Sequence, residues 1–112
     1  MAVVSVSEFR QHVETVGSNS DSVMRIRILS ETKSQVQMRI FLANRTFLDV
    51  YYNAKTSKTA FAQIKDDQRI FGADNAHEFW HWHPYEDPQR HVRANDAVTF
   101  DEFLKRVEAA IK

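Results

Sequence analysis

Val36-Gln37-Met38-Arg39-Ile40-Phe41-Leu42, followed after a short polar break by Phe47-Leu48-Asp49-Val50-Tyr51-Tyr52, is the stretch on which the fold turns. In both runs an apolar side chain recurs at every second position, which in an extended chain places the set on one face. Val36, Met38, Ile40 and Leu42 form one row, and Leu48, Val50 and Tyr52 form another. A tight turn at Asn44-Arg45-Thr46 would set Leu42 opposite Leu48, Ile40 opposite Val50 and Met38 opposite Tyr52. A slip of one residue would move a whole row to the other face, so register is the sensitive quantity.

Upstream, Met24, Ile26 and Ile28 alternate with Val23, Arg25, Arg27 and Leu29, which reads as a further strand. Downstream, a loop around Ala54 to Lys58 returns the chain and sets Ala60, Ala62 and Ile64 beside the apolar row. A three-residue turn at Asp66-Asp67-Gln68 then pairs Ile64 with Ile70 and Ala62 with Gly72. The expectation is a five-stranded antiparallel meander with one apolar face. Ser5-Val6-Ser7-Glu8 has capping-box spacing and opens a helix carrying Phe9, Val13 and Val16. Thr99, with Glu102 three residues on, opens another whose stripe is Phe100, Phe103, Leu104, Val107 and Ile111. A sheet with one apolar face needs a cover, and these stripes match it. The fold class is therefore α+β, one domain over residues 1–112, with an N-terminal and a C-terminal helix packed on one sheet face. Ala60, Ala62 and Gly72 would leave room for a helix to approach. Gly17 to Ser22 reads as a polar hinge, and residues 84–98 as a polar connection without regular structure.

At 112 residues, 43% of them hydrophobic, the chain has room for one core. It has no cysteine, which excludes disulfides, thiolate zinc sites and a cysteine nucleophile. Fifteen basic and fifteen acidic residues cancel, so any polyanion binding must come from a local face. The longest apolar run is too short to span a membrane, and Met1 to Val6 does not read as a secretory signal. The expected location is cytoplasmic, with no membrane partner. No Gly-rich phosphate loop, Gly-x-Ser-x-Gly elbow or His-Glu-x-x-His pair is present, and no cofactor is expected.

In these registers the sheet's other face shows Arg25, Arg27, Arg39, Lys65 and Arg69 against Asp49, interleaved with Phe41, Phe47, Tyr51, Phe61 and Phe71. Cations among exposed rings suit single-stranded RNA, charge for phosphates and flat faces for bases. The same composition suits a protein partner or a homodimer interface.

Residues 79–91 hold three of the five histidines, both tryptophans and both prolines. If Phe79 to His83 is extended, Trp80 and Trp82 share one face and His81 and His83 the other, with Cα atoms roughly 6.5 Å apart. Paired imidazoles can serve as acid and base, or as metal ligands. His91 can fold back after Pro84 and Pro88 as a third member. Asp74 can orient an imidazole, and Asn75, His77, Glu86 and Asp87 lie near in sequence. A polar rim, with the histidines capping turns beside tryptophan, explains the same residues without chemistry.

The order Phe47 to Asn53, Lys58 to Ile64 and Arg69 to Asn75, then the histidine segment and a C-terminal helix, resembles the TumE-type toxins of prokaryotic toxin–antitoxin modules. The resemblance covers roughly the last two thirds of the chain. Where those relatives carry adjacent histidines after the Asp-Asn pair, this chain places Trp82 between His81 and His83. The resemblance implies a toxin whose partner is a helix-turn-helix antitoxin. The combined expectation is a toxin-like protein acting on RNA as a metal-independent ribonuclease, with His81 and His83 as base and acid and His91 or an arginine steadying the phosphate. The alternative is a non-catalytic interaction module that docks a partner, or a second copy, through the aromatic and basic face. A third reading is a metal-dependent hydrolase using His81, His83 and Asp74.

Overall fold

Both helices begin where their sequences provide a cap. Ser5 Oγ accepts the Glu8 backbone N–H at 3.1 Å while the Glu8 carboxylate accepts the Ser5 N–H at 3.2 Å. The exchange satisfies amides that a helix leaves orphaned in its first turn. Thr99 Oγ1 caps the second helix by accepting the Glu102 N–H at 3.2 Å.

The computed structural model describes residues 4–111. They form α1 (Val6–Ser18), β1 (Val23–Glu31), β2 (Gln35–Leu42), β3 (Phe47–Asn53), β4 (Thr59–Lys65) and β5 (Gln68–Asp74). A 3-10 turn (Ala76–Glu78), β6 (His81–His83), β7 (Val92–Arg93) and α2 (Phe100–Ile111) complete the chain. All strands pair antiparallel in sequence order within one sheet, and α1 and α2 pack on one face of it. The architecture is α+β, but the sheet has seven strands rather than the expected five. The two additions come from the histidine segment and the connection after it. The histidine segment is extended as its alternation suggests but is not part of the expected sheet, and two-residue β7 is too short to carry a period.

The β2–β3 register lies two residues from expectation, with Val36 opposite Tyr52, Met38 opposite Val50 and Ile40 opposite Leu48. The three-residue turn sits one position earlier, at Ala43-Asn44-Arg45, because Leu42 and Thr46 close it, the Leu42 N–H donating to the Thr46 carbonyl at 3.0 Å. Asn44 Oδ1 holds it by accepting the Thr46 N–H at 3.1 Å. A shift of two preserves every face, so Val36, Met38, Ile40, Leu48 and Val50 all reach the core.

In β4 the faces are inverted. Thr59, Phe61 and Gln63, not Ala60, Ala62 and Ile64, stand opposite Tyr52, Val50 and Leu48. Asn53 tightens the preceding loop, its Oδ1 accepting the Lys55 and Thr56 N–H groups at 2.9 and 3.2 Å. Its backbone N–H meets the Lys58 carbonyl at 2.9 Å, so Thr59 rather than Ala60 joins the row. The outcome also buries a phenyl ring in place of a methyl group, which gains more apolar area.

The β4–β5 turn has two residues, not three: Asp66 and Asp67 have φ of 51° and 64°, and Lys65 faces Gln68. Positive φ at both positions matches the twist of the flanking strands, and aspartate tolerates it. Ile64 therefore meets Arg69, and Ile70 is the extra residue of a bulge before Gln63 pairs with Phe71 and Ala62 with Gly72. Phe61 and Phe71, expected on the outer face, are core residues at 3% and 5% exposure. Lys65 lines a cleft with Gln63, Tyr85 and Ala110 on the helix side.

Fully buried Phe103 of α2 sits amid Phe61, Phe71 and Trp82, with ring centroids at 5.3, 5.3 and 6.4 Å. Tyr85 stacks on Phe71 at 4.3 Å and donates to Gln63 Oε1, whose amide donates to Thr46 Oγ1 at 3.0 Å. This ladder pins the start of the 84–91 connection to the helix side, and burial pushes the Tyr85 phenol up to about 12. No helix among the described residues is long and apolar enough to cross a membrane.

Candidate functional site

The outer sheet face is crossed by two rows of side chains. One runs Arg27, Arg39, Asp49, Ala62, Gly72 and His83, each opposite the next. The other runs Gln37, Tyr51, Ala60, Asp74, His81 and Arg93. Neighbouring strands stand ~4.8 Å apart, so Arg39 and His83 are about 19 Å apart across four spacings. Between them Ala60, Ala62 and Gly72 keep the floor low.

One end of the face is aromatic and cationic. The Arg25 guanidinium lies 4.6 Å from the Phe41 ring centroid, and that of Arg39 lies 4.2 Å from Phe47. Arg39 Nε also donates to Asp49 Oδ1 at 3.0 Å, and the Tyr51 hydroxyl donates to Gln35 Oε1 at 3.0 Å. Arg25 and Arg27 are exposed, while Phe41, Phe47 and Tyr51 are half-buried.

The other end holds the histidines. His83 Nε2 lies 2.8 Å from Asp74 Oδ2, and the second Asp74 oxygen accepts the Ala76 N–H at 3.1 Å. His83 is 2% exposed, and its Nδ1 is buried without a partner. Turns after Pro84 and Asp87, closed by Asp87 N–H to Pro84 O and Arg90 N–H to Asp87 O, bring His91 back over the sheet. Its ring stands edge-on to both neighbours, 4.6 Å from His83 and 5.7 Å from His81 between centroids. His91 is exposed and His81 half-buried. The two imidazoles within reach of solvent are therefore His81 and His91, with His83 and Asp74 forming a fixed pair beneath them.

His81, His83, His91 and Asp74 thus come together at one end of the face, with Arg25, Arg27, Arg39, Phe41 and Tyr51 towards the other. Arg69 is on this face too, and Phe61 and Phe71 are not. His83, expected to point away freely, is covered by the returning connection. His81, His83 and Asp74 are not gathered as the three-ligand set considered for zinc; Asp74 Oδ2 instead lies against His83 Nε2. Among the described residues no group of three His, Asp or Glu side chains is arranged to hold a metal ion. Asn75 is structural, its Oδ1 accepting the Thr59 N–H at 2.8 Å, and Glu86 pairs with Arg90 at 3.0 Å. The His77 side chain lies outside the described residues.

Two side chains escaped the sequence reading. The Arg93 guanidinium lies 3.9 Å from the Phe79 ring centroid, beside His81, and both residues are exposed. Phe79 stands two residues before His81, so alternation alone could have placed it there. Arg93 arrives through a return that no local pattern announces. No family model, curated protein or solved structure matches this chain.

Proposed function

We propose that the outer face binds single-stranded RNA and cleaves it, with His81 and His91 exchanging the protons. The chain would be the toxin-like component of a prokaryotic toxin–antitoxin module, with a cognate antitoxin as its protein partner; that part rests on the TumE-type resemblance. The observation supporting the chemistry is that two accessible imidazoles, backed by the His83–Asp74 pair, share an open face with Arg25, Arg27, Arg39, Phe41 and Tyr51.

RNA supplies its own nucleophile. One imidazole takes the proton of a 2′-hydroxyl as its oxygen bonds to phosphorus, and the other, as imidazolium, gives a proton to the departing 5′-oxygen. The products are a 2′,3′-cyclic phosphate and a 5′-hydroxyl, so neither a protein nucleophile nor a cofactor is required. His83 is too buried to touch RNA; it packs against His91 and fixes that ring's place, while Asp74 fixes His83. Arginines then neutralise flanking phosphates, and the half-buried rings stack unpaired bases.

The test is incubation of the folded chain with end-labelled single-stranded RNA, with and without a chelator, at several pH values. Fragments ending in cyclic phosphate, absent for the His81→Ala/His91→Ala variant, are expected. Intact RNA under every condition overturns the reading. A second reading has the same face docking a protein partner or a second copy; it draws on Arg39, whose charge Asp49 already neutralises, and on ring and arginine contacts typical of interface hot spots. Phe41→Glu would then change molecular mass or partner binding, and unchanged values dismiss it.

A further inference from the structure

We infer that Arg69, turned onto the outer face by the β5 bulge, forms with exposed His91, above the buried His83, a subsite for a phosphate-type oxyanion. The inference rests on the RNA reading above for its natural ligand, the phosphate at the cleavage point.

In a regular strand Arg69 would share the face of Phe71, two residues away. The extra residue Ile70 breaks that alternation and leaves Arg69 opposite Ile64, on the face of Ala62 and Gly72. Bulges commonly re-aim a side chain beside a functional site. Here the re-aimed chain lies across Gly72. The point where a Cβ would stand on Gly72 is 3.2 Å from Arg69 Cδ, 3.6 Å from His83 Cδ2 and 3.0 Å from the Phe61 carbonyl oxygen. A side chain at position 72 would therefore push Arg69 away from His83, and glycine lets the two lie together.

The guanidinium is left short of partners. Its Nη2 donates to the Pro88 carbonyl at 2.9 Å, and its Nε is buried with none. Among the described residues no carboxylate stands within ion-pair distance of Arg69, although Arg10, Arg39, Arg90 and Arg106 all have one. A partly buried cation without a counter-charge is costly, and so is the unpartnered Nδ1 of neighbouring His83. An oxyanion relieves the first cost directly. Guanidinium offers planar paired donors that match two phosphate oxygens, and exposed His91 stands over the same spot. In the cleavage reaction that charge would stabilise the extra negative charge gained by the phosphorus centre.

The experiment is a titration of the full folded chain with inorganic phosphate, following the imidazole resonances by NMR. A saturable shift of the His83 and His91 signals is expected. Arg69→Met should weaken binding roughly tenfold or more, the scale of one charge-assisted hydrogen bond. Lys105→Gln, an equal charge change at an exposed position of α2, should leave affinity unchanged. Absence of any shift in the parent chain, or equal affinity in Arg69→Met, overturns the subsite. So does affinity lost only together with displaced His91 signals in the phosphate-free variant, which would assign Arg69 to holding the Pro88 connection. If Arg69→Met does not fold, Arg69→Lys replaces it, with weaker binding expected and unchanged binding overturning. No turnover is needed, so phosphate binding without RNA cleavage removes only the nuclease reading, and cleavage without phosphate binding removes only the subsite.

Discussion

His83 Nε2 and Asp74 Oδ2 lie 2.8 Å apart across the β5–β6 ladder, and this contact engages the one buried imidazole of the three clustered there. A ring that is 2% exposed and tied to a carboxylate is a support, not a reagent. Asp74→Ala leaves His83 Nε2 buried without its partner and should cost about 1–3 kcal/mol, the usual penalty for an unsatisfied buried group. Asp74→Asn keeps an acceptor and should cost less. Urea unfolding measures both, and equal midpoints for Asp74→Ala and the parent would contradict the assignment.

The three histidines should separate by kind of effect. His81→Ala and His91→Ala remove accessible groups, so each should slow RNA cleavage by about 10²–10⁴ while shifting stability by no more than ~0.5 kcal/mol. His83→Ala empties a buried position and should lower the melting temperature. Cleavage rates taken beside melting curves give the pattern; a fully active His91→Ala would move the chemistry off this pair.

How far the sequence disclosed this arrangement depended on how local each signal was. Both helices, their caps and the β2–β3 faces were legible because capping needs three residues and alternation survives a two-residue slip. The β4 faces were not, because Asn53 and Lys58 close a tighter loop than composition announces. Ala62 was matched correctly with Gly72 only because two departures cancel, a two-residue turn in place of three and a bulge at Ile70. The inverted β4 faces carry Phe71 inward, and the bulge returns Arg69 to the outer face where it is expected. His81 and His83 were legible as neighbours from alternation and Asp74 only as near in sequence, whereas the burial of His83 depends on a non-local return that no period records.

The arginine end of the face should reveal itself through salt. Removing a cation that neutralises one phosphate of a single-stranded ligand lowers the slope of log affinity against log salt by about 0.7. Arg25→Gln and Arg27→Gln should each flatten the slope by that order in anisotropy titrations of a labelled RNA oligomer. Phe41→Ala should instead weaken binding by about 1–3 kcal/mol with the slope retained, as expected when a stacking platform is removed. Identical slopes across the arginine variants would place RNA elsewhere.

Phe103 is the residue on which the helix-side packing depends most. It is fully buried against Phe61, Phe71 and Trp82, so Phe103→Ala opens a cavity that rigid neighbouring rings cannot close. The expected loss is about 3–5 kcal/mol by denaturant unfolding. A loss below ~1 kcal/mol would mean that the rings do not pack as described.

Tyr85 gives a pH dependence whose sign follows from burial. Its phenol ordinarily titrates near 10, and packing on Phe71 beside Gln63 raises it to about 12, because burial disfavours the phenolate. Between pH 10 and 12 the folded chain therefore holds a proton that the unfolded chain has released. Stability from this group is complete below pH 10 and is lost as pH rises towards 12. Tyr85→Phe has no proton to lose, so its stability should fall less steeply over that window, although it forfeits the bond to Gln63 at neutral pH. Absorbance at the phenolate band should likewise lose a late-titrating component in the variant. A Tyr85 that ionises near 10 while the chain is still folded would show the ring to be solvated, and would detach the 84–91 connection from the core.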